Sequence, residues 1–369
     1  MVAWQQAGII DRELSYYKEL SHHIGFLSFI SYGDSHRTET KLLKQHIPDA
    51  NIIWTRPPVM SQLPINLFWY TFLPPFNCKP FDGVKRVRSN QISGAWPGVI
   101  VAQHYKVPFI LRAGYLLSKN IRLDKQAHTI KKNILILLEK WVSQKADAII
   151  VTYAGAKTYL SNQYGICPSK ITIIGNPIDT GLFYPQSQPR AKKRDVLYIG
   201  RLVSEKNIQS ILLAIQKAKA SITLLGKGPL KQEMIDLSRS LHLDVKFIDS
   251  LPNPKIPELM SKHRLFIIAS HYEGNPKVLL EAMACEMPCI ASNIPEHADI
   301  IENEKEGLLV PAIPGALSQA INRLLDAPDL GKEMGRRARN KILNHYSLKS
   351  NALKESQVYQ AFSKKKNTC

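Results

Sequence analysis

The chain has 369 residues, enough for two ordinary domains, and its 44% hydrophobic and 21% charged side chains are a globular composition that excludes a disordered chain. No stretch reaches the roughly 18 apolar residues of a membrane-spanning helix, and five cysteines without zinc spacing predict free thiols in a reducing, cytoplasmic compartment. The formal net charge of +19 is spread over both halves and should attract polyanions: anionic lipid headgroups, nucleic acid or phosphorylated substrates.

Met1–Leu14 carries Asp11, Arg12 and Glu13 and has no apolar segment of signal-peptide type, so no signal peptide is expected. Trp4–Ser21 reads as a helix, and Gly25–Ser31 and Gly83–Val87 as strands. Trp96–Tyr105 reads as a helix, Pro108–Arg112 as a strand and Asp124–Ser143 as a long basic helix. Ala148–Val151 and Ile171–Ile174 are expected strands. Together they predict a first α/β domain over residues 1–184. Pro185–Arg194 (PQSQPRAKKR) is polar and basic with two prolines, and reads as a linker.

A second α/β domain is expected over residues 195–346. Asp195–Gly200 is a buried-type strand, after which Ser204 is expected to cap a helix with Ile208, Ile211, Leu212 and Ile215 on one face. Ser221–Gly226 is the next strand, and Pro229 is expected at the first position of a helix carrying Leu230, Met234, Leu237 and Leu241. Val245–Ile248, Leu265–Ser270, Cys289–Ser292 and Gly307–Val310 are further strands, with helices at Ile256–His263 and Pro276–Cys285. Alternating strands and helices imply right-handed crossovers and a parallel sheet. The predicted architecture is two Rossmann-like domains facing each other across a cleft at their strand carboxyl ends.

Three strand-to-helix turns carry chemistry. Gly200–Asn207 (GRLVSEKN) offers Arg201 as a fork and Lys206 as a point charge for a diphosphate, though a solvated charged turn is the commoner fate of such a pair. Gly226-Lys227-Gly228-Pro229 is a tight turn that is weak as a signal by itself. In Ser270–Cys285 (SHYEGNPKVLLEAMAC), Asn275 is expected to cap a helix whose N-terminus favours an anion. Glu273 stands before that helix and Glu281 eight residues on. The two carboxylates suit two hydroxylated parts of one ligand, and equally suit two ordinary surface acids.

In order and spacing these turns resemble the nucleotide-sugar domain of retaining GT-B glycosyltransferases of family 4, the glycosyl transferases group 1. The likeness is sharpest over residues 196–311, continues through Ile300–Val310, and is looser at Arg112–Tyr115 and Gly175–Asp179. The resemblance implies that Gly200, Gly226 and Lys227 line the donor site and that Arg201 and Lys206 hold the donor diphosphate. It implies that Glu273 binds sugar hydroxyls with help from the backbone of Gly274, Asn275, Pro276 and Lys277. Val278 would pack near the ribose and Glu281 would accept its hydroxyls. Arg201, Lys206 and Glu273 would be the catalytic residues. The implied activity is hexosyl transfer with retention from a nucleotide sugar to a glycan or lipid-linked saccharide, in surface polysaccharide or glycolipid synthesis. The chain has no Asp-x-Asp, so no metal and no cofactor are expected. A terminal helix over residues 347–365 would cross back to the first domain.

Three departures from the family pattern stand out. The opening strand and its glycine loop are not seen before the first helix. The strand PFILRAGY has no His, so Arg112, with Tyr115 beside it, is assigned to the acceptor side, or else Arg112 has a structural partner in a buried strand. Glu286 stands where the family has Gly after a helix. His104 reads as a helix-surface residue rather than a base. Lys85, Arg86 and Arg88 flank the strand nearby. Lys125, Lys131, Lys132 and Lys140 load the basic helix, which is either merely solvated or suited to peripheral docking on the inner face of an anionic membrane. Nucleic acid is not an expected partner, since no aromatic-interleaved basic motif is present. The competing reading is a non-catalytic or truncated GT-B subunit that binds nucleotide or partner without turnover.

Overall fold

The computed structural model describes residues 1–6, 10–31, 35–54, 83–92, 95–116, 118, 129–186 and 195–364. Lys125 and all but the first two residues of the expected linker lie outside these, as do the side chains of Lys131 and Lys132. The chain divides into two compact units, residues 1–175 with 351–369, and residues 176–350.

Among the described residues the first unit has two parallel sheets. β1 (Ser28–Ile30) pairs with β2 (Asn51–Trp54), the two being joined through the helix His36–His46. β3 (Val87–Arg88), β4 (Phe109–Ala113), β5 (Ala148–Val151) and β6 (Ile171–Ile173) form the second sheet in that order. β4 and β5 are buried along their whole length; AIIV is wholly apolar, and FILRA is apolar apart from Arg112. The expected strand Gly83–Val87 is displaced toward the C-terminus. Its ladder begins where Val87 N donates to Pro108 O and continues where Ser89 N donates to Ile110 O.

The helix Leu348–Lys364 joins this unit from Asn351 onward, and Asn351 Nδ2 donates to Gly175 O at 3.0 Å. Glu355 on this helix is fully buried. Its carboxylate meets Arg88 Nε at 2.6 Å and Arg112 Nη1 at 2.9 Å, and accepts from Tyr16 Oη at 2.5 Å and from Tyr359 Oη. Arg88 also donates to Tyr17 Oη at 2.7 Å, and Tyr17 donates to Asn90 Oδ1 at 2.8 Å. Burial by itself would raise the carboxyl pKa of Glu355, but the Arg88 and Arg112 guanidiniums outweigh it and hold the group at about 2.

The second unit is one parallel sheet of six strands, ordered β12-β11-β10-β7-β8-β9. The strands are β7 (Asp195–Ile199), β8 (Ser221–Leu225), β9 (Val245–Ile248), β10 (Leu265–Ile268), β11 (Cys289–Ser292) and β12 (Leu308–Val310). The order reverses between β7 and β10, where a doubly wound sheet opens to ligands. Side chains alternate between two cores: Val196, Tyr198, Leu265 and Ile267 pack on one face, and Leu197, Ile199, Phe266 and Ile268 on the other. Helices cover both faces, so the strands read as continuous apolar runs.

Two expected helix starts are corrected. Ser204 is no cap; Ser204–Lys206 forms a 3-10 turn, and the helix runs from Ile208 to Ala218 after Asn207 at φ 53°. Asn207 Nδ2 donates instead to Ala312 O at 2.9 Å. Pro229 lies in a turn, and the helix begins at Lys231, because Leu230 N donates back to Leu202 O at 3.1 Å. Among the described residues no helix is long and apolar enough to cross a membrane.

Glu286 does adopt the left-handed conformation, at φ 55°, directly after the helix Lys277–Ala284 and Cys285. The helix Pro328–His345 presses on this turn so closely that a Cβ at Gly335 would lie 2.2 Å from Glu286 O.

Two outcomes follow from these contacts. Removing the charge in Glu355→Gln leaves two buried guanidiniums opposite a neutral amide and should cost about 3–5 kcal/mol. The folded-state pKa of Glu355 lies below the ordinary carboxylate value of 4.5. Its stabilisation is therefore present above about pH 4.5 and is lost as pH falls toward 2. Acid titration of unfolding should show a shallower limb in the variant. Relieving the left-handed glutamate in Glu286→Gly should raise stability by about 0.5–1 kcal/mol, seen as a higher melting temperature.

Candidate functional site

The candidate residues of the second unit collect on the turns that follow β7, β8 and β10. The first two turns lie against each other through their backbones. Gly200 N donates to Leu225 O at 2.9 Å and Leu202 N to Lys227 O at 2.9 Å, while Gly226 N donates on the other side to Ile248 O of β9 at 2.8 Å. This approach demands glycine: a Cβ at Gly226 would lie 1.8 Å from Gly200 O, and one at Gly228 would lie 2.1 Å from Leu202 O. Tyr198 Oη, beside Gly200, donates to Arg201 O at 3.0 Å and fixes the exit of the strand.

The first turn is also tied to the loop after β10, since His271 N donates to Glu205 O at 2.9 Å. Lys206 Nζ reaches Glu273 Oε1 at 2.5 Å, and Ser270 Oγ donates to the same oxygen at 2.7 Å. Both partners of this ion pair are mostly shielded from solvent. Arg201 differs: its side chain is 72% exposed and pairs with Glu205 at 2.8 Å, so it can turn toward a ligand at little cost. Lys227 is exposed as well.

Asn275 is not a helix cap. Asn176 N donates to Asn275 Oδ1 at 2.7 Å, and Asn176 Nδ2 donates to Asn275 O at 2.6 Å, so the amide is committed to a reciprocal clamp. Pro276 takes the cap position instead, and the helix begins at Lys277. The clamp fixes the chain from Gly274 to Lys277 at the positive end of that helix, and Val278 in its first turn is half-buried. Glu281 projects from the same helix and is buried, at 2% exposure.

The sequence reading missed the support behind Glu273. His297 is fully buried, with Nδ1 2.8 Å from Ser292 O. A carbonyl oxygen only accepts, so Nδ1 carries the proton. Ser292 Oγ donates to Ser270 O at 2.6 Å. Burial lowers the pKa of His297 and keeps the ring neutral. Asn176 did stand in the quoted GNPID segment, whereas nothing local marks Ser292 or His297.

The acceptor-side candidates lie in the first unit. Arg112 has the structural partner that was the alternative to an acceptor-side role: it is buried at 6% exposure, bonded to Glu355, with its guanidinium 5.5 Å from the centre of the Tyr16 ring. Tyr115 is half-buried in the turn after β4. His104 is exposed at a helix end and packs edge-on against Tyr105. Among the described residues no group of three His, Cys, Asp or Glu side chains could hold a metal ion.

Gly226→Ala should lose about 1–3 kcal/mol or more, because the new methyl meets backbone rather than a movable side chain. Gly315→Ala meets nothing within 4 Å and should leave the melting temperature nearly unchanged.

The family model "Glycosyl transferases group 1" matches residues 183–341, and that of "Glycosyltransferase Family 4" matches residues 62–182. The chain is 25% identical over 285 residues to a glycogen synthase of Mycobacterium tuberculosis, covering 72% of this chain and 66% of that protein. It is 27% identical over 241 residues to an N-acetylgalactosaminyltransferase of Campylobacter jejuni acting on a diphospho-undecaprenol saccharide, covering 61% and 65%. These alignments therefore span slightly less than two thirds of the relatives' own length. Among solved structures, Anabaena HepE in complex with UDP-glucose superimposes with a TM-score of 0.72 at 16% identity, covering 96% of both chains. A glycosyltransferase from Rickettsia africae superimposes with a TM-score of 0.71 at 18% identity, covering 96% and 95%. The matches to both family models and the shared fold together make this chain a member of the GT-B glycosyltransferases, in the glycosyl transferases group 1.

Proposed function

We propose that the protein transfers a hexose-type sugar from a nucleoside diphosphate donor to a glycan or lipid-linked saccharide, with retention of anomeric configuration. The observation that carries this reading is the meeting of the two glycine turns with the Lys206–Glu273 pair at the carboxyl ends of β7, β8 and β10. HepE, solved with UDP-glucose, and the Campylobacter transferase, named for a diphospho-undecaprenol acceptor, support the donor and acceptor classes.

In this reading the diphosphate lies against the Gly200–Leu202 and Gly226–Gly228 backbones. Arg201 swings from Glu205 to the phosphates as a fork, and Lys206 adds a fixed positive charge. Glu273, held by Ser270, accepts sugar hydroxyls. Glu281 accepts the ribose hydroxyls, and Val278 packs on the ribose. The bond from the anomeric carbon to the phosphate oxygen breaks as the acceptor oxygen attacks from the same face. The leaving phosphate oxygen takes the acceptor proton, so no side-chain base is needed. Arg201 and Lys206 offset the charge that grows on the leaving diphosphate. They take the part that a metal plays in other transferases, and chelation should leave turnover unchanged. Tyr115 is the acceptor-side candidate that remains once Arg112 is committed to Glu355.

Calorimetric titration of UDP, GDP, ADP and CDP into the purified chain tests the donor site. One nucleotide should bind. Glu281→Ala should weaken it by about 10- to 100-fold, as for a hydrogen bond to a charged group. Arg201→Ala should also weaken it. Lys206→Ala should lower turnover by about 10²–10³. No binding to a folded parent chain would overturn the reading, and a product with inverted anomeric configuration would overturn the retaining mechanism.

A further inference from the structure

The helix Thr129–Lys145 presents an apolar stripe to solvent. Ile134, Leu137 and Trp141 are 46%, 65% and 37% exposed. At 100° per residue these three positions fall within an arc of about 60°. Lys140 and Lys145, both exposed, stand on either side of that arc. Beyond the stripe the helix is anchored inward: Leu138 and Val142 pack in the core of the first unit, and on the opposite face buried Glu139 accepts from Ser118 Oγ at 2.5 Å and from Tyr164 Oη at 2.8 Å. The helix therefore cannot roll to hide its stripe without breaking a buried hydrogen-bonded carboxylate.

We propose that this stripe is a membrane-docking surface that lies in the interface of an anionic bilayer. Leu137 and Ile134 would enter the acyl boundary, Trp141 would sit at headgroup level, and Lys140 and Lys145 would meet lipid phosphates. Charge decides the occupant. The chain carries a net charge of +19, which attracts an anionic lipid face and opposes the approach of a second copy. The stripe is narrow and flanked by lysines, as suits shallow burial in a headgroup layer. This inference stands apart from the donor site and deepens the acceptor reading, since docking here would bring the enzyme to a lipid-linked saccharide.

Co-sedimentation of the full chain with vesicles tests it, comparing phosphatidylcholine alone with an equimolar mixture of phosphatidylcholine and phosphatidylglycerol. The parent should partition onto the anionic vesicles and weakly or not at all onto the neutral ones, and added salt should release it. Leu137→Glu with Trp141→Glu should lower partition at least about tenfold. Lys140→Glu with Lys145→Glu should lower it by on the order of tenfold or more. Both pairs are exposed and should keep the parent's melting temperature and nucleotide affinity, so failure here is distinguishable from failure of the donor site. Equal partition of the parent onto both vesicles, none onto either, or full retention by both variants would overturn the proposal. So would a parent dimer that Leu137→Glu dissociates without any vesicle binding, since the stripe would then be a contact between copies.

Discussion

The close approach of two backbone turns, Gly226–Gly228 against Gly200–Leu202, is the constraint on which the candidate site rests. Side chains at Gly226 or Gly228 would run into the backbone of the turn after β7, as the 1.8 Å and 2.1 Å clashes of added methyl groups show. With glycine in place, Leu202 N reaches Lys227 O, and the turn after β7 is held by the turn after β8. That fixes where Lys206 emerges. The hydrogen bond from His271 N to Glu205 O then brings the loop after β10 to the same place, and Lys206 and Glu273 meet. The ion pair is thus a consequence of backbone packing rather than its cause. Its value to function lies in two polar groups held in a shielded place with few ways to move.

Buried carboxylates organise the first unit in a comparable way. Glu355 gathers Arg88, Arg112, Tyr16 and Tyr359, residues from four different elements of the chain. Glu139 does the same for Ser118 and Tyr164. Each such group is costly to bury and tolerable only when its partners are all in place. The result is specificity: the terminal helix has one seat, and the helix Thr129–Lys145 has one rotation. Arg112 is taken into this arrangement, with its guanidinium paired to the Glu355 carboxylate.

The local motifs were legible because their chemistry is local. Strand period, glycine turns and the spacing from Glu273 to Glu281 all lie within short stretches of sequence, and the parallel pairing of the six strands followed from alternation with helices. The helix His36–His46 was not seen, because only Glu39, Leu42 and Leu43 of its eleven residues are buried and no long apolar face marks it. Ser204, Pro229 and Asn275 have the propensities of helix starts, yet the backbone needed elsewhere decides their roles. Asn275 is taken by Asn176 from 99 residues away, and Leu230 is drawn back to Leu202. Arg112 and Glu355 are separated by 243 residues, and no spacing rule joins them. The sequence reading allowed for a structural partner to Arg112 without being able to name it.

The central claim is that the nucleoside diphosphate is held on the turns after β7 and β8 and at the start of the helix Lys277–Ala284. The most direct measurement is the backbone amide spectrum of the isotope-labelled chain during titration with UDP, or with whichever diphosphate binds. The account predicts that the largest shifts fall on Gly200, Leu202, Gly226 to Gly228, Gly274, Asn275, Lys277 and Val278, and that Gly226→Ala removes them. Saturable binding with those amides unmoved, and the shifts concentrated elsewhere, would contradict it.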